Sequence, residues 1–548
     1  MNPPAPTADT IARIEQAARG ADRGVAINLA VEALRRGVRH PLVWTLVAEG
    51  LEAQGRLPEA LKLLQRATAL APDDARAWFG LGRVLFSLGR REEAGAVLDR
   101  GLTLSPDDYR GRIDAGTLRL RLGELKAASE HFQRAAEIAP EAAEPLSALA
   151  VVAGLAGDSA AARGAATRAL ALEPALISAQ IAIARADSLD GEPAQAAERL
   201  TRLLVRTDLA DAQRIDIHDL RAECLDTQGR PAEAFADYAA RNDVMRRVHA
   251  PSLADAGREG QGDRARRLAD WFEATPPGPW RSPASTGADA VGARTTRQHA
   301  FLVGFPRSGT TLLEKALSSH PDIVSLEEVD VLGAVGNPLL APDADLDRLI
   351  HMPAPESDAL REAYWRGVGE AMDAPIDGRI FIDKLPLHTS SLPLIARLFP
   401  DARILFALRD PRDVVFSCFR RRFRINAAMF EFLTLDGAAR YYDAVMRMAV
   451  ACRGPLPLAV HAVRHEAVVA DFEGELGRAL DFVGAPWNPD VRNFAALART
   501  STRTPSAPQV ARGLNADGVA QWRRYQAQLA PIAPILEPWV VRFGYDAD

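Results

Sequence analysis

Residues 301–317, "FLVGFPRSGTTLLEKAL", run from a short apolar segment through a turn bounded by Gly304 and Gly309 into an amphipathic helical pattern. Glycines so placed between a strand and a helix build a loop whose backbone N–H groups and helix N-terminus face an anion. A nucleotide-phosphate loop would carry Lys directly after the second glycine, and Thr310 stands there instead. A kinase or ATPase is therefore a poor fit, and the loop is expected to hold a different anion. Arg307 offers a planar fork for two oxygens, and Ser308, Thr310 and Thr311 add hydroxyls and backbone donors. The competing reading, an ordinary helix cap at a strand-to-helix turn, sits badly with so many special residues in one place.

Working outward, the second half of the chain alternates strand-like runs ("HAFLVGF", "RIFID", "ARILFALRD") with helical stretches, the grammar of a parallel sheet flanked by helices. In "ILFALRDPRDVVFSCFRRRFR" a strand is expected to end at Leu408, with Arg409 at its carboxyl end. Pro411 then opens a helix, and Ser417 follows about two turns in. Arg420, Arg421, Arg422 and Arg424 are expected to crowd that same helix, as a solvated basic face or as cations sharing an anion. Two phosphate-sized sites on neighbouring strand ends suggest a nucleotide with phosphates at both ends of its ribose. Upstream, "SLEE" at 325–328 reads either as a capping box opened by Ser325 or as an acid pair near the loop.

The first half repeats itself. Pro72, Pro106, Pro140 and Pro174 recur every 34 residues, as do Gly55, Gly89, Gly123, Gly157 and Gly191, each glycine followed five residues on by Ala60, Ala94, Ala128, Ala162 or Ala196. This pattern resembles the tetratricopeptide repeat, two antiparallel helices with Gly at the tight crossing, Ala where backbones approach and Pro past the second helix. Gly229 and Ala234 keep the offset in a sixth repeat after a four-residue insertion. The resemblance implies an α-solenoid whose concave face binds a peptide or a partner protein, the alternative being a brace or dimerisation element.

Composition sets outer limits. The formal charge is −6, so no global basic field points to nucleic acid. The N-terminus lacks a signal-like pattern and there is no long apolar run, from which a cytoplasmic protein without an intrinsic membrane anchor is expected. Cys224, Cys418 and Cys452 are too few and scattered for a disulfide framework or a structural zinc site and read as buried thiols. Lysine is found only at Lys62, Lys126, Lys315 and Lys384, among 66 basic residues, so each departs from a strong preference for arginine.

Taken as an ordered set, "GFPRSGTTLLEKALSSHP", "EEVD", "FIDKLP" and "LFPDARILFALRDPRDVVFS" resemble the sulfotransferases, in particular the group similar to tyrosylprotein sulfotransferases. The resemblance implies a P-loop-like α/β domain with a central parallel sheet over 298–548, preceded by a degenerate helical cap (1–40), tetratricopeptide repeats (41–250) and a connector with one short helix (251–297). It implies 3′-phosphoadenosine 5′-phosphosulfate (PAPS) as sulfonate donor, with no metal, and a hydroxyl acceptor such as a protein tyrosine. Arg307, Ser308, Gly309, Thr310 and Thr311 would hold the 5′-phosphosulfate, and Arg409, Ser417 and Arg421 the 3′-phosphate. Glu328 would be the catalytic base, with Glu327 less favoured, and Lys384 would sit near the bridging oxygen of the leaving phosphate. The C-terminal stretch "TPSAPQVARGLNADGVAQWRRY" would close over the donor, with Ser506 and Arg512 as contacts. The sequence departs from the family at His465, where Tyr is usual, and at His388, where Asn often stands. A noncatalytic, nucleotide-sensing solenoid adaptor and an enzyme acting on a small molecule or glycan are the alternatives.

Overall fold

The computed structural model describes residues 5–19, 23–254, 259–274, 280, 296–372, 374–500 and 507–546. The chain divides into two compact units, Met1–Gln213 and Arg214–Asp548.

The first unit is a run of antiparallel helix pairs, among them Ala75–Ser87 with Arg91–Leu104 and Tyr109–Arg121 with Leu125–Ile138. Each pair is made by the residues that mark the repeat. At Gly89 (φ 80°) the chain turns left-handed, its N–H donating to Phe86 O (2.9 Å) while Arg90 N–H donates to Leu85 O (2.9 Å). That double bond satisfies the last carbonyls of the helix, and a side chain in this conformation costs about 1 kcal/mol. Ala60, Ala94, Ala128, Ala162 and Ala196 are fully buried, where the paired helices leave no room for a larger group. Each repeat proline stands two residues beyond a helix: Leu57–Leu70 ends before Pro72, and Arg91–Leu104 before Pro106. The residue preceding it is pushed out of the helical region, as at Ala71 (ψ 77°) and Ser105 (ψ 82°).

The sixth pair, Asp211–Thr227 and Pro231–Ala254, keeps Gly229 left-handed and Ala234 buried but falls almost wholly within the second unit. The short helix Gln261–Ala274 also belongs there, packed along Leu435–Arg453 with Arg447 paired to Asp270 and Glu273.

The rest of the second unit is built on five parallel strands: β1 (Gln298–Gly304), β2 (Ile323–Glu327), β3 (Ile380–Lys384), β4 (Arg403–Leu408) and β5 (Ala459–Arg464), in the order β2-β3-β1-β4-β5. With apolar layers on both faces, the central strands read as continuous apolar runs. Ala300, Leu302, Ile380, Ile382 and Leu405 face Leu312, Leu313, Ala316 and Leu317 of the helix Thr310–Ser318, together with Leu476 and Leu480 of Phe472–Val483. On the other face, His299, Phe301 and Phe381 meet Tyr364, Trp365 and Phe399. The same two-residue period sends Lys384 to the Thr310–Ser318 side and Asp383, its neighbour, to the Tyr364 side, where it accepts from the Tyr364 hydroxyl (2.8 Å). Connections leave β1 and β4 in opposite directions along the sheet, so the crevice between their carboxyl ends is a switch point, where open α/β sheets bind ligands.

Two local expectations are corrected. The helix that follows β4 is Pro411–Arg420; Arg421 is already extended (φ −88°, ψ 139°), so Arg421, Arg422 and Arg424 do not share it with Arg420. It stops there because the carbonyls of its last turn are taken by side chains of the sixth pair, Arg241 and Asn242. The capping box at Ser325 is absent as well, since Ser325 lies inside β2 and the following helix, Val331–Gly336, is capped by Asp330.

Candidate active site

The turn after β1 is shaped by three residues with positive φ: Gly304 (152°), Arg307 (72°) and Gly309 (98°). A Cβ on Gly304 would stand 2.6 Å from the Ala407 carbonyl oxygen of β4, so only glycine lets the two strand ends close up. The Thr389 hydroxyl pins that corner, accepting from Gly304 N–H (2.9 Å) and lying 2.6 Å from its carbonyl oxygen. Gly309 then starts the helix Thr310–Ser318 with no side chain to cap it, and a Cβ there would meet the His465 ring at 2.8 Å. The Ser308 hydroxyl is buried and has no partner among the described residues.

Cations converge on this turn. Arg307 donates through Nε to Ser417 Oγ (3.0 Å) and through Nη2 to Gln509 Oε1 (2.5 Å). Arg409, at the end of β4, donates to the Arg307 carbonyl (3.0 Å) and to that of Gly518, and its buried Nε is unpartnered among the described residues. Burial, then the charges of Arg421 and Arg409, pull the Arg307 guanidinium down to about 9. The same cations act on His465: burial, then Arg409 and Arg307, hold its ring down to about 3, so it is neutral. Positive groups crowded in this way are relieved by a bound anion. Arg307, Gly309, Thr310, Thr311, Arg409, Ser417, His465 and Arg512 line one cavity, closed by the segment from Gln509 to Gly518. Asp413 anchors the far end of that segment, accepting from the Ala520 and Trp522 N–H groups (2.8 Å each). Burial pushes its carboxyl up to about 6 against the pull of Arg409.

A second cavity opens on the other side of the turn. Pro306, Arg307, Thr310 and Thr311 form one wall, with Glu328, Leu385, Leu387, Phe423, Arg424 and Met429 around it. Arg307 and the two threonines are thus shared by an arginine-lined cavity and a largely apolar one. Glu328 is held in the left-handed region (φ 52°), its N–H donating to Lys384 O (2.9 Å), while the fully buried Lys384 ammonium donates to Glu328 Oε1 (2.9 Å). A strained non-glycine residue at the end of a strand, beside a cavity, is a common mark of a functional position.

Of the residues singled out by sequence, Arg307, Gly309, Thr310, Thr311, Arg409, Ser417 and Arg512 come together at the first cavity, and Glu328 at the second with Lys384 behind it. Ser308 is buried within the turn. Arg421 faces a neighbouring polar cavity with Asp219, Glu223 and Asp226, and Arg420 takes its place in the first one. Ser506 lies outside the described residues. His388 is buried 3.4 Å from Asp383, where its ring packs on Phe301; it does not line the cavity of Glu328. Gln509 and Gly518 fall within the stretch expected to close over the site, but the sequence does not single them out in it, since neither belongs to a recognisable spacing. The described residues hold no group of three or more His, Cys, Asp or Glu arranged to take a metal.

Residues 300–489 match the sulfotransferase family, and residues 45–109 the tetratricopeptide repeat. An uncharacterized protein of Aquifex aeolicus (strain VF5) is 26% identical over 255 residues, which are 44% of this chain and 32% of that protein. Protein-tyrosine sulfotransferase 1 of Danio rerio is 27% identical over 275 residues, 45% of this chain and 72% of the fish protein. The chain therefore spans about a third of the first relative and under three quarters of the second. A crystal structure of a tetratricopeptide repeat protein from Parabacteroides merdae superposes with a TM-score of 0.35 at 16% identity, over 43% of this chain and 93% of that one.

Proposed function

We propose that this chain, a tetratricopeptide-repeat protein with a sulfotransferase-family domain, moves a sulfonate group from PAPS to a phenolic hydroxyl, with a protein tyrosine as the natural acceptor. The observation that carries the reading is the shared wall: Arg307, Thr310 and Thr311 face both an arginine-lined cavity and an apolar one that holds a carboxylate. Residues present in the first cavity suit the donor. The buried Arg409 Nε and the Gly309 corner, where any side chain would strike His465, make a cradle for anionic oxygens, with the unpartnered Ser308 hydroxyl buried in the turn beneath it. Arg307 and the amides of the turn would hold the 5′-phosphosulfate. Arg409 and Ser417 would hold the 3′-phosphate, with Arg420 and Arg421 at its outer side. The donor supplies an activated S–O bond.

The protein's part is positioning and charge. Glu328 reaches the cavity whose Leu385, Leu387, Phe423 and Met429 suit an aromatic ring, and takes the proton of the acceptor hydroxyl. Lys384, fully buried behind Glu328 and donating to its Oε1, would neutralise charge on the leaving oxygen. The repeats gather the acceptor protein, an extension of the reading that rests on their fold alone. The test is incubation of the full chain with PAPS and a tyrosine-containing peptide or a small phenol, read as a mass gain of one SO3. A chain that binds the donor product yet transfers to no hydroxyl would leave it a nucleotide sensor.

A further inference from the structure

Two of the four lysines, in a chain that otherwise uses arginine, lie in one buried row of charges behind the base. The Lys315 ammonium donates to Glu327 Oε2 (2.8 Å) and to Glu314 Oε1 (3.4 Å), and the Lys384 ammonium lies 2.9 Å from Glu328 Oε1 and 3.8 Å from Glu327 Oε1. Signs alternate along the row: Glu314, Lys315, Glu327, Lys384, Glu328. The fold dictates this order. Glu327 on β2 is the register partner of Lys384 on β3, and the two-residue period sends both toward the helix that carries Glu314 and Lys315. Ser325, two residues earlier on the same face, donates to Glu314 Oε1 (2.5 Å) and accepts from Ser318 (2.8 Å), so the far end of the row is fixed as well. Burial alone would lower the Lys315 ammonium, yet the Glu314 and Glu327 carboxylates outweigh it and its value is raised.

We propose that Glu327, held by Lys315, is a positioning residue that keeps the Lys384 ammonium charged and in place while Glu328 takes the acceptor's proton. The inference rests on the roles assigned above to Glu328 and Lys384. At rest Lys384 has two carboxylates near it. Once the acceptor's proton is on Glu328, the acceptor oxygen bonds to sulfur and the bond from sulfur to the phosphate oxygen breaks. Glu328 is then neutral, and Glu327 is the carboxylate left to Lys384. A buried ammonium without a carboxylate is driven to give up its proton, which would remove the charge needed at the leaving oxygen. The row goes from three acids and two bases to a balanced set, so proton uptake leaves no unpaired buried cation. Lysine serves here better than arginine because a compact point charge can stand between two carboxylates on adjacent elements.

The experiment compares the full chain with Glu327→Gln, Glu327→Asp and Lys315→Arg. In Glu327→Gln, kcat is expected to fall by about a hundredfold, the usual effect of a misplaced catalytic group, with its alkaline limb moved to lower pH and the thermal shift given by 3′-phosphoadenosine 5′-phosphate unchanged. Glu327→Asp and Lys315→Arg, which keep the charges, should each lose less of the rate than Glu327→Gln. A rate loss with an unmoved alkaline limb, or one matched by an equal loss of the thermal shift, overturns the proposal in favour of a purely structural row. Lysine 13Cε spectra give a readout besides activity, because four lysines yield four signals: Glu327→Gln should displace those of both Lys315 and Lys384 at neutral pH. An unmoved Lys384 signal overturns the pairing whether or not the chain is active. Displaced signals in a protein that transfers no sulfonate would sink the proposed function and, with it, the catalytic part of this inference.

Discussion

Arg241, fully buried in the sixth helix pair, donates through Nη2 to the Phe419 carbonyl oxygen at 3.1 Å, and so holds the last turn of the helix that carries Ser417. Nη1 reaches the Arg420 carbonyl (2.9 Å) and Asp219, and Asn242 Nδ2 adds a bond to Phe419 O (3.0 Å). A repeat helix thus supplies the cap that Pro411–Arg420 lacks on its own. Removing the guanidinium takes the partner from Arg420 O and from the Asp219 carboxylate and leaves Phe419 O to Asn242 alone, so Arg241→Met should destabilise the second unit by about 3 kcal/mol. Urea unfolding followed by tryptophan fluorescence checks this, and a loss below that of an ordinary surface substitution would make the contact incidental.

Donor binding should depend on both ends of the crevice. 3′-Phosphoadenosine 5′-phosphate is expected to raise Tm by an amount that grows with its concentration, as linkage requires, and Arg409→Ala should abolish most of the shift. Arg409 also ties the Gly518 carbonyl to the site, so the unliganded variant is measured alongside. Equal stabilisation by adenosine 5′-phosphate would remove the case for a second phosphate site.

Glu328→Gln should leave donor-product binding intact while transfer drops by roughly two to four orders of magnitude, the contribution of a positioned general base. Gln keeps the side-chain length and can still accept from Lys384, so folding should survive. Single-turnover rates with a small phenol test it; a variant with normal turnover would return Glu328 to a structural role.

His388 gives a pH signature of its own. Burial lowers the imidazole, but Asp383 more than offsets this, and its value is raised. A raised folded value means that the pair contributes its full stability below the unfolded value of about 6.5, and loses it as pH climbs through the folded one. The stability gap between the parent and His388→Asn should therefore be widest near pH 6 and narrow steadily above it. A gap independent of pH would show that the ring is neutral throughout.

Much of this was legible in the sequence, for reasons that differ from residue to residue. The 34-residue marks at Gly89, Ala94 and Pro106 recur because one steric problem is solved again in every repeat. The loop at Gly304–Gly309 and the parallel sheet follow from residues whose backbone demands are local. Arg421 was misplaced because the end of its helix is set by Arg241, 178 residues away from Phe419 in sequence. Glu314 and Lys315 look like ordinary polar positions on a short helix, and only the pairing of β2 with β3 reveals that they back the Glu327–Lys384 pair. Ser325 misled in the opposite sense: three residues before an acid it spells a helix cap, but the apolar Ile323, Val324 and Leu326 around it draw it into a strand.

The repeats should matter for protein acceptors and not for small ones. A chain of residues 214–548 retains all but the first three residues of the sixth pair, and with it Arg241 and Asn242, whereas a cut at residue 260 removes both and exposes the last turn of Pro411–Arg420. The longer piece is expected to keep donor-product stabilisation and transfer to a small phenol, which diffuses in unaided, but to lose most of its kcat/KM on a protein substrate. The reason lies in effective concentration: an acceptor held on a solenoid face meets the site at about millimolar local levels, and the gain vanishes with the face. Retained stabilisation by 3′-phosphoadenosine 5′-phosphate is the control for folding. Undiminished kcat/KM on the protein acceptor would show that the first five repeats serve assembly, and that acceptor recognition is confined to the cavity of Glu328 and Arg424.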